Sequence, residues 1–143
     1  MGVPFSCYNL SGLVDLQRGI AERQNDSRLE AFSILYCDFS GFDKPKIADS
    51  LEQVIRSSAA YVHNDNAYFF ALYQTDKYGA SVVATMFEEF FGSSVKHEAV
   101  SYPRDGETAQ ELFDAIQAHA KKNHDIDLEC LDHNSHQMPS LNP

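Results

Sequence analysis

Positive charge is scarce in this chain: 11 Lys and Arg stand against 21 Asp and Glu, for a formal net charge of −10. No basic run is longer than Lys121-Lys122, so the sequence lacks the electrostatic footprint that a phosphate backbone would need. Nucleic acid and anionic membrane surfaces are therefore not expected as partners. Long apolar runs are missing too. None approaches the roughly 20 residues of a membrane span, and no basic region followed by an apolar core stands at the N-terminus. Cysteine is sparse and scattered. Cys7, Cys37 and Cys130 form an odd set unlike a disulfide framework, which fits a reducing compartment and gives a cytoplasmic expectation. The start Met1-Gly2-Val3-Pro4-Phe5-Ser6 satisfies a loose acylation pattern, but Pro4 sits awkwardly in it and so short a pattern recurs by chance.

A chain of 143 residues, 43% hydrophobic, suits one domain around one core. No internal repeat or low-complexity linker divides it. Its organising stretch is Tyr61 to Tyr73, where two aromatic-rich runs flank Asp65-Asn66. That pair tolerates the positive φ angles of a two-residue turn, so the stretch predicts a tight β-hairpin.

Around the hairpin, hydrophobic spacing predicts the other elements. Leu13, Leu16 and Ile20 recur at helical spacing. Residues 31–39 are apolar on both faces, as a central strand would be, and end at Asp38. A helix is expected after Pro45, with Ile47, Leu51, Val54 and Ile55 in one stripe. Thr75-Asp76 can cap a further helix in which Val82, Val83, Met86, Phe87 and Phe90 face the core, until Gly92 stops it. Val95 to Tyr102 reads as a strand closed by Pro103-Arg104-Asp105-Gly106. Thr108 and Glu111 form a capping box for a last helix carrying Ala109, Leu112, Phe113, Ile116 and Ala120 on one face. Its Lys121-Lys122 end complements the helix dipole. Residues 1–123 thus form one domain, and 124–143 an edge strand over 126–131 followed by a mobile polar tail. The fold class is α+β, a sandwich of a mostly antiparallel sheet of about five strands flanked by helices.

The segments Leu10-Ser11-Gly12-Leu13, Cys37-Asp38-Phe39-Ser40-Gly41-Phe42, the aromatic hairpin and Ser101-Tyr102-Pro103-Arg104-Asp105-Gly106-Glu107-Thr108-Ala109-Gln110-Glu111-Leu112 resemble the GGDEF family of bacterial diguanylate cyclases. They occur in the family's order over residues 8–122. The last is the most specific, since members commonly read YPEDGETAEEL there. The resemblance implies the palm-like sheet of nucleotide cyclases and polymerases. It also implies two carboxylates that hold divalent metal, one ending the first strand and one in the signature hairpin, while a 3′-hydroxyl of one GTP attacks the α-phosphorus of another.

Asp38 matches the first of these carboxylates and is the nucleotide or metal candidate. At the hairpin the signature is overwritten. Asp65, Asn66, Ala67, Tyr68, Phe69 and Phe70 stand there, and neither of the two registers that fit leaves an acid at the metal position. Asn66 or Ala67 replaces glycines whose bare backbone would admit the nucleotide. Between Phe42 and Asp49 the chain is short by the piece that contributes an asparagine to guanine recognition in the family. An Arg-x-x-Asp inhibitory motif before the hairpin is absent, since Ser58-Ala59-Ala60-Tyr61 stands in that place.

The expectation is a degenerate GGDEF-like domain without catalysis or cofactor, regulating or binding proteins in bacterial signalling through a protein partner or as a homodimer. The alternative is a residual binder of GTP, cyclic di-GMP or a related nucleotide at Asp38, with Mg²⁺ if so, and beyond it a weak cyclase. The short Asp38-to-Phe42 motif also resembles the strand end of class III adenylyl cyclases, with no second metal aspartate to support it. Cys130, His133 and His136 offer metal donors, though in a tail and at a spacing unlike strong zinc patterns. His63 and His97 read as half-exposed strand residues, and no nucleophile elbow marks acyl-transfer chemistry.

Overall fold

The segment with apolar side chains on both faces becomes the centre of the sheet. The computed structural model describes residues 4–5, 32–55, 60–64, 66–126 and 128. In chain order these give β1 (Pro4–Phe5), β2 (Phe32–Asp38), α1 (Lys44–Ser50), β3 (Ala60–Asn64), β4 (Ala67–Tyr73), α2 (Lys77–Phe91), β5 (Lys96–Tyr102) and α3 (Ala109–His124). α1 widens into one π turn over Leu51–Ile55. The expected helix on Leu13, Leu16 and Ile20 lies outside the described residues.

The strands are ordered β1-β3-β4-β2-β5. β2 pairs antiparallel with β4 and β5, and β3 pairs antiparallel with β4. Where about five strands were expected, the structure has four antiparallel ones, and β1 adds only two residues, parallel to β3. Pro4 has no N–H to donate, so this edge pairing is poorly suited to extend. The β2-α1-β3 and β4-α2-β5 units interleave, each holding one strand of the other between its own two, which is the split-βαβ arrangement.

Alternation along the strands divides the core in two. Phe32, Ile34, Tyr36, Val62, Phe69, Val100 and Tyr102 pack on the face covered by Leu112, Phe113, Ile116 and Ala120 of α3. Leu35, Cys37, Phe70 and Leu72 face Ile47 and Ile55 together with Ala80, Ala84, Phe87 and Phe91 of α2. A one-residue slip of any strand would exchange these sets.

Two expectations need correction. In α2 the buried ridge is Ala80, Ala84, Phe87 and Phe91, whereas Val82 and Met86 are each 41% exposed. The two alanines let the helix lie close to the sheet. Of the expected stripe, Phe87 is buried and Val83 and Phe90 pack partly against the core, so the correction concerns Val82 and Met86. The ends of α2 are as expected: Asp76 accepts from the Gly79 N–H at 2.7 Å, and Gly92 closes the helix at φ 68°. The second correction concerns the edge strand over 126–131. Asp125, at φ 56°, reverses the chain, and the Gln117 amide then donates to the Ile126 carbonyl at 3.4 Å and accepts from the Leu128 N–H at 2.8 Å. Ile126 and Leu128 therefore run back along α3 rather than joining the sheet, and residues 129–131 lie outside the described residues.

Candidate functional site

The expected hairpin forms between β3 and β4. Asn64 pairs with Ala67 and His63 with Tyr68, the register that a short connection gives. Asp65 itself lies outside the described residues. On the neighbouring strand Asp38 is the cross-strand partner of Ala67, and the Phe39 N–H donates to the Asn66 carbonyl at 2.9 Å. The end of β2 and the hairpin tip, the two parts of the site that the resemblance implies, therefore lie side by side.

Among the described residues, the carboxylate they bring to this end is that of Asp38. Asp38 is half-buried and accepts from the Ser40 N–H at 3.0 Å, an Asx turn that ends the strand. Its partners across the sheet are Ala67 on β4 and Lys96 on β5. Among the described residues no three His, Cys, Asp or Glu side chains are grouped to hold a metal ion. Cys130, His133 and His136 lie outside the described residues.

The aromatic residues of the hairpin divide by face. Phe69 and Phe70 are both 0% exposed and fill opposite cores. Tyr61, His63 and Tyr68 remain half-buried at the edge. There His63 stacks on Tyr68 with ring centroids 4.7 Å apart and planes at 10°, and Phe39 lies 5.0 Å from Tyr68. Phe42 stacks on Phe91 at 4.1 Å. These rings crowd the hairpin edge where bare glycine backbone would admit a nucleotide.

The electrostatics of this end follow from that packing. Burial raises the Tyr61 phenol above its ordinary value, and the Glu52 carboxylate adds to the rise. Tyr68 is raised by burial and then by Tyr61. The Cys37 thiol is pushed well up by burial, with further contributions from Glu88 and Asp38, which keeps it protonated and poor as a nucleophile. The Nδ1 atom of His63 is buried without a hydrogen-bond partner among the described residues. His97 behaves as a satisfied strand histidine, its Nδ1 lying 2.8 Å from the Val95 carbonyl.

A polar network at the opposite end of the sheet was not anticipated from single residue types. Buried Ser33 donates to the Thr75 carbonyl at 2.6 Å and lies 2.9 Å from the Ser101 hydroxyl. Asp105 accepts from the Ser101 N–H at 2.8 Å, returns its own N–H to the Ser101 carbonyl, and pairs with Lys77 at 3.2 Å. A Cβ on Gly106 would lie 2.8 Å from Glu111 Cβ and 3.0 Å from the Leu112 nitrogen, so the turn meets α3 only as glycine. Thr108 then caps α3 by accepting from the Glu111 N–H, and Glu111 reaches back to the Glu107 N–H. The segment 101–112, which carries the most specific part of the resemblance, works here as a structural clasp. The usable signal was an Asp in a turn four residues after a buried strand serine, a pattern with local meaning only once the strand end is known.

No protein-family model matches this chain, and no curated protein matches it.

Proposed function

We propose that this protein is a non-catalytic GGDEF-like domain that serves as a regulatory or protein-interaction module in cytoplasmic bacterial signalling. The observation that carries the reading is the pairing of Asp38 with Ala67. Asp38 stands where a metal-holding aspartate would end the first strand, while the strand beside it offers a methyl group and then the packed rings of Tyr68, Phe69 and Phe70. One carboxylate cannot neutralise the charge that gathers at phosphorus during phosphodiester formation. The interleaved β-α-β-β-α-β order supports the reading, because the resemblance implies a palm-like sheet carrying helices.

Calorimetric titration with GTP, GMP and cyclic di-GMP, with and without Mg²⁺, tests it. Silence in every titration is the expected result. Heat that reports micromolar affinity and disappears in Asp38→Ala would replace the reading with its alternative, a nucleotide binder. The half-buried Asp38 carboxylate beside the hairpin tip is the observation that favours that second reading.

A further inference from the structure

We propose that the outward ridge of α2 docks an amphipathic helix whose apolar stripe is flanked by Lys or Arg. The inference rests on the interaction-module reading and places its contact surface on this helix. Tyr78, Val82 and Met86 follow one another at i, i+4 and i+8, a spacing that aligns side chains on one side of a helix. They are 77%, 41% and 41% exposed. The ridge lies opposite the one formed by Ala80, Ala84, Phe87 and Phe91, which already seats α2 on the sheet. Folding does not need the outer ridge. Isolated exposed apolar residues are ordinary, whereas a continuous row of them marks a contact surface.

Charge decides the occupant. Exposed Glu89 follows Met86 by three residues, and exposed Asp76, which caps the helix by accepting from the Gly79 N–H, precedes Tyr78 by two. Along its flank, Ser81 and Thr85 are uncharged and spend their hydroxyls on backbone carbonyls of α2. The cation nearest in sequence, Lys77, is paired with Asp105. A second copy of the chain fits poorly. Antiparallel pairing about Val82 would set Asp76 of one copy near Glu88 and Glu89 of the other, parallel pairing would set Glu89 against Glu89, and each copy carries a net charge of −10. Three side chains also supply much less than the ~800 Å² per partner of a standard stable interface. A basic amphipathic helix meets the charge demand and suits a contact of this small area, which is that of a weak or transient partner. Its apolar residues at i, i+3 or i+4, and i+7 would lie along the ridge, while its cations face Asp76 and Glu89 and speed the encounter.

The test uses the full chain and two synthetic helical peptides with the same leucine stripe, one flanked by Lys and one by Glu, followed by fluorescence anisotropy. The Lys peptide is expected to bind, and Val82→Ser with Met86→Ser to weaken it at least about tenfold at unchanged melting temperature. Tyr78→Ser should weaken it in the same direction. The Glu peptide should not bind. The proposal is overturned if neither peptide binds, if both bind equally, if the ridge variants bind as well as the parent, or if sedimentation shows self-association that the ridge variants abolish. Loss of peptide binding in Tyr68→Ser alone would put the contact on the hairpin, which sinks the ridge while leaving the module reading standing. GTP titrated into the same samples addresses that reading separately, since nucleotide binding would sink it whatever the peptides do.

Discussion

The two ends of the central sheet have been treated differently by this sequence. Where β2 ends, Asp38 faces Ala67 and Lys96 on its neighbouring strands, and aromatic rings crowd the hairpin tip. Where β2 begins, Ser33, Thr75, Ser101, Asp105 and Lys77 are joined by directed hydrogen bonds and an ion pair. The first end is where the resemblance implies chemistry, and there Asp38 lies between Ala67 and Lys96 with packed rings beside it. The second carries the best-preserved part of the resemblance, and its polar groups hold the fold. The segment that carries the most specific resemblance thus has a packing role of its own.

Substitutions sharpen this contrast. If the hairpin is now a packing element, Phe69→Ala should produce the largest effect, a loss of about 3–5 kcal/mol, because Phe69 is 0% exposed and its ring lies 5.3 Å from Tyr36. Urea denaturation measures it, and a loss below about 1 kcal/mol would show that the ring is not a core residue. Next comes Asp105→Ala, which strands the buried Ser101 N–H and removes the ion pair with Lys77. A cost of about 1–3 kcal/mol follows from an unmet buried donor. Asp38→Ala should stay within about 0.5 kcal/mol, the range of ordinary surface changes. Equal losses for the two aspartates would erase the distinction between the ends.

The smallest effect concerns pH. Tyr61 and Tyr68 have phenols raised above their ordinary value in the folded chain. The unfolded chain therefore releases these protons first, so the stabilisation is complete below about pH 10 and declines as pH rises beyond it. Melting temperatures should fall above that pH in the parent chain and fall less in the Tyr61→Phe, Tyr68→Phe double variant. A parallel fall in both would assign the loss to other groups.

Much of this was legible in the sequence, for reasons that differ by element. The hairpin, β2 and both caps of α2 could be read because turn chemistry, two-sided hydrophobicity and helix capping are local. The buried ridge of α2 could not. Ala80 and Ala84 are chosen by how closely the helix approaches the sheet, and the sequence offers bulkier outward residues in Val82 and Met86. The end of the chain was misread for a related reason, since the reversal at Asp125 and the clamp by Gln117 depend on a contact across α3. At the candidate site, Asp38 and the overwritten hairpin were visible as residues. That Phe69 and Phe70 leave the surface follows only from the opposite faces that β4 gives them.

The proposal is that the Asp38 end carries out no metal-assisted chemistry, and product formation tests this most directly. The purified chain should be incubated with GTP and Mg²⁺ or Mn²⁺, and cyclic di-GMP and pyrophosphate quantified beside the Asp38→Asn variant. The expected result is that neither product rises above the protein-free control in either sample. Formation of cyclic di-GMP by the parent chain, abolished by Asp38→Asn, would contradict the account.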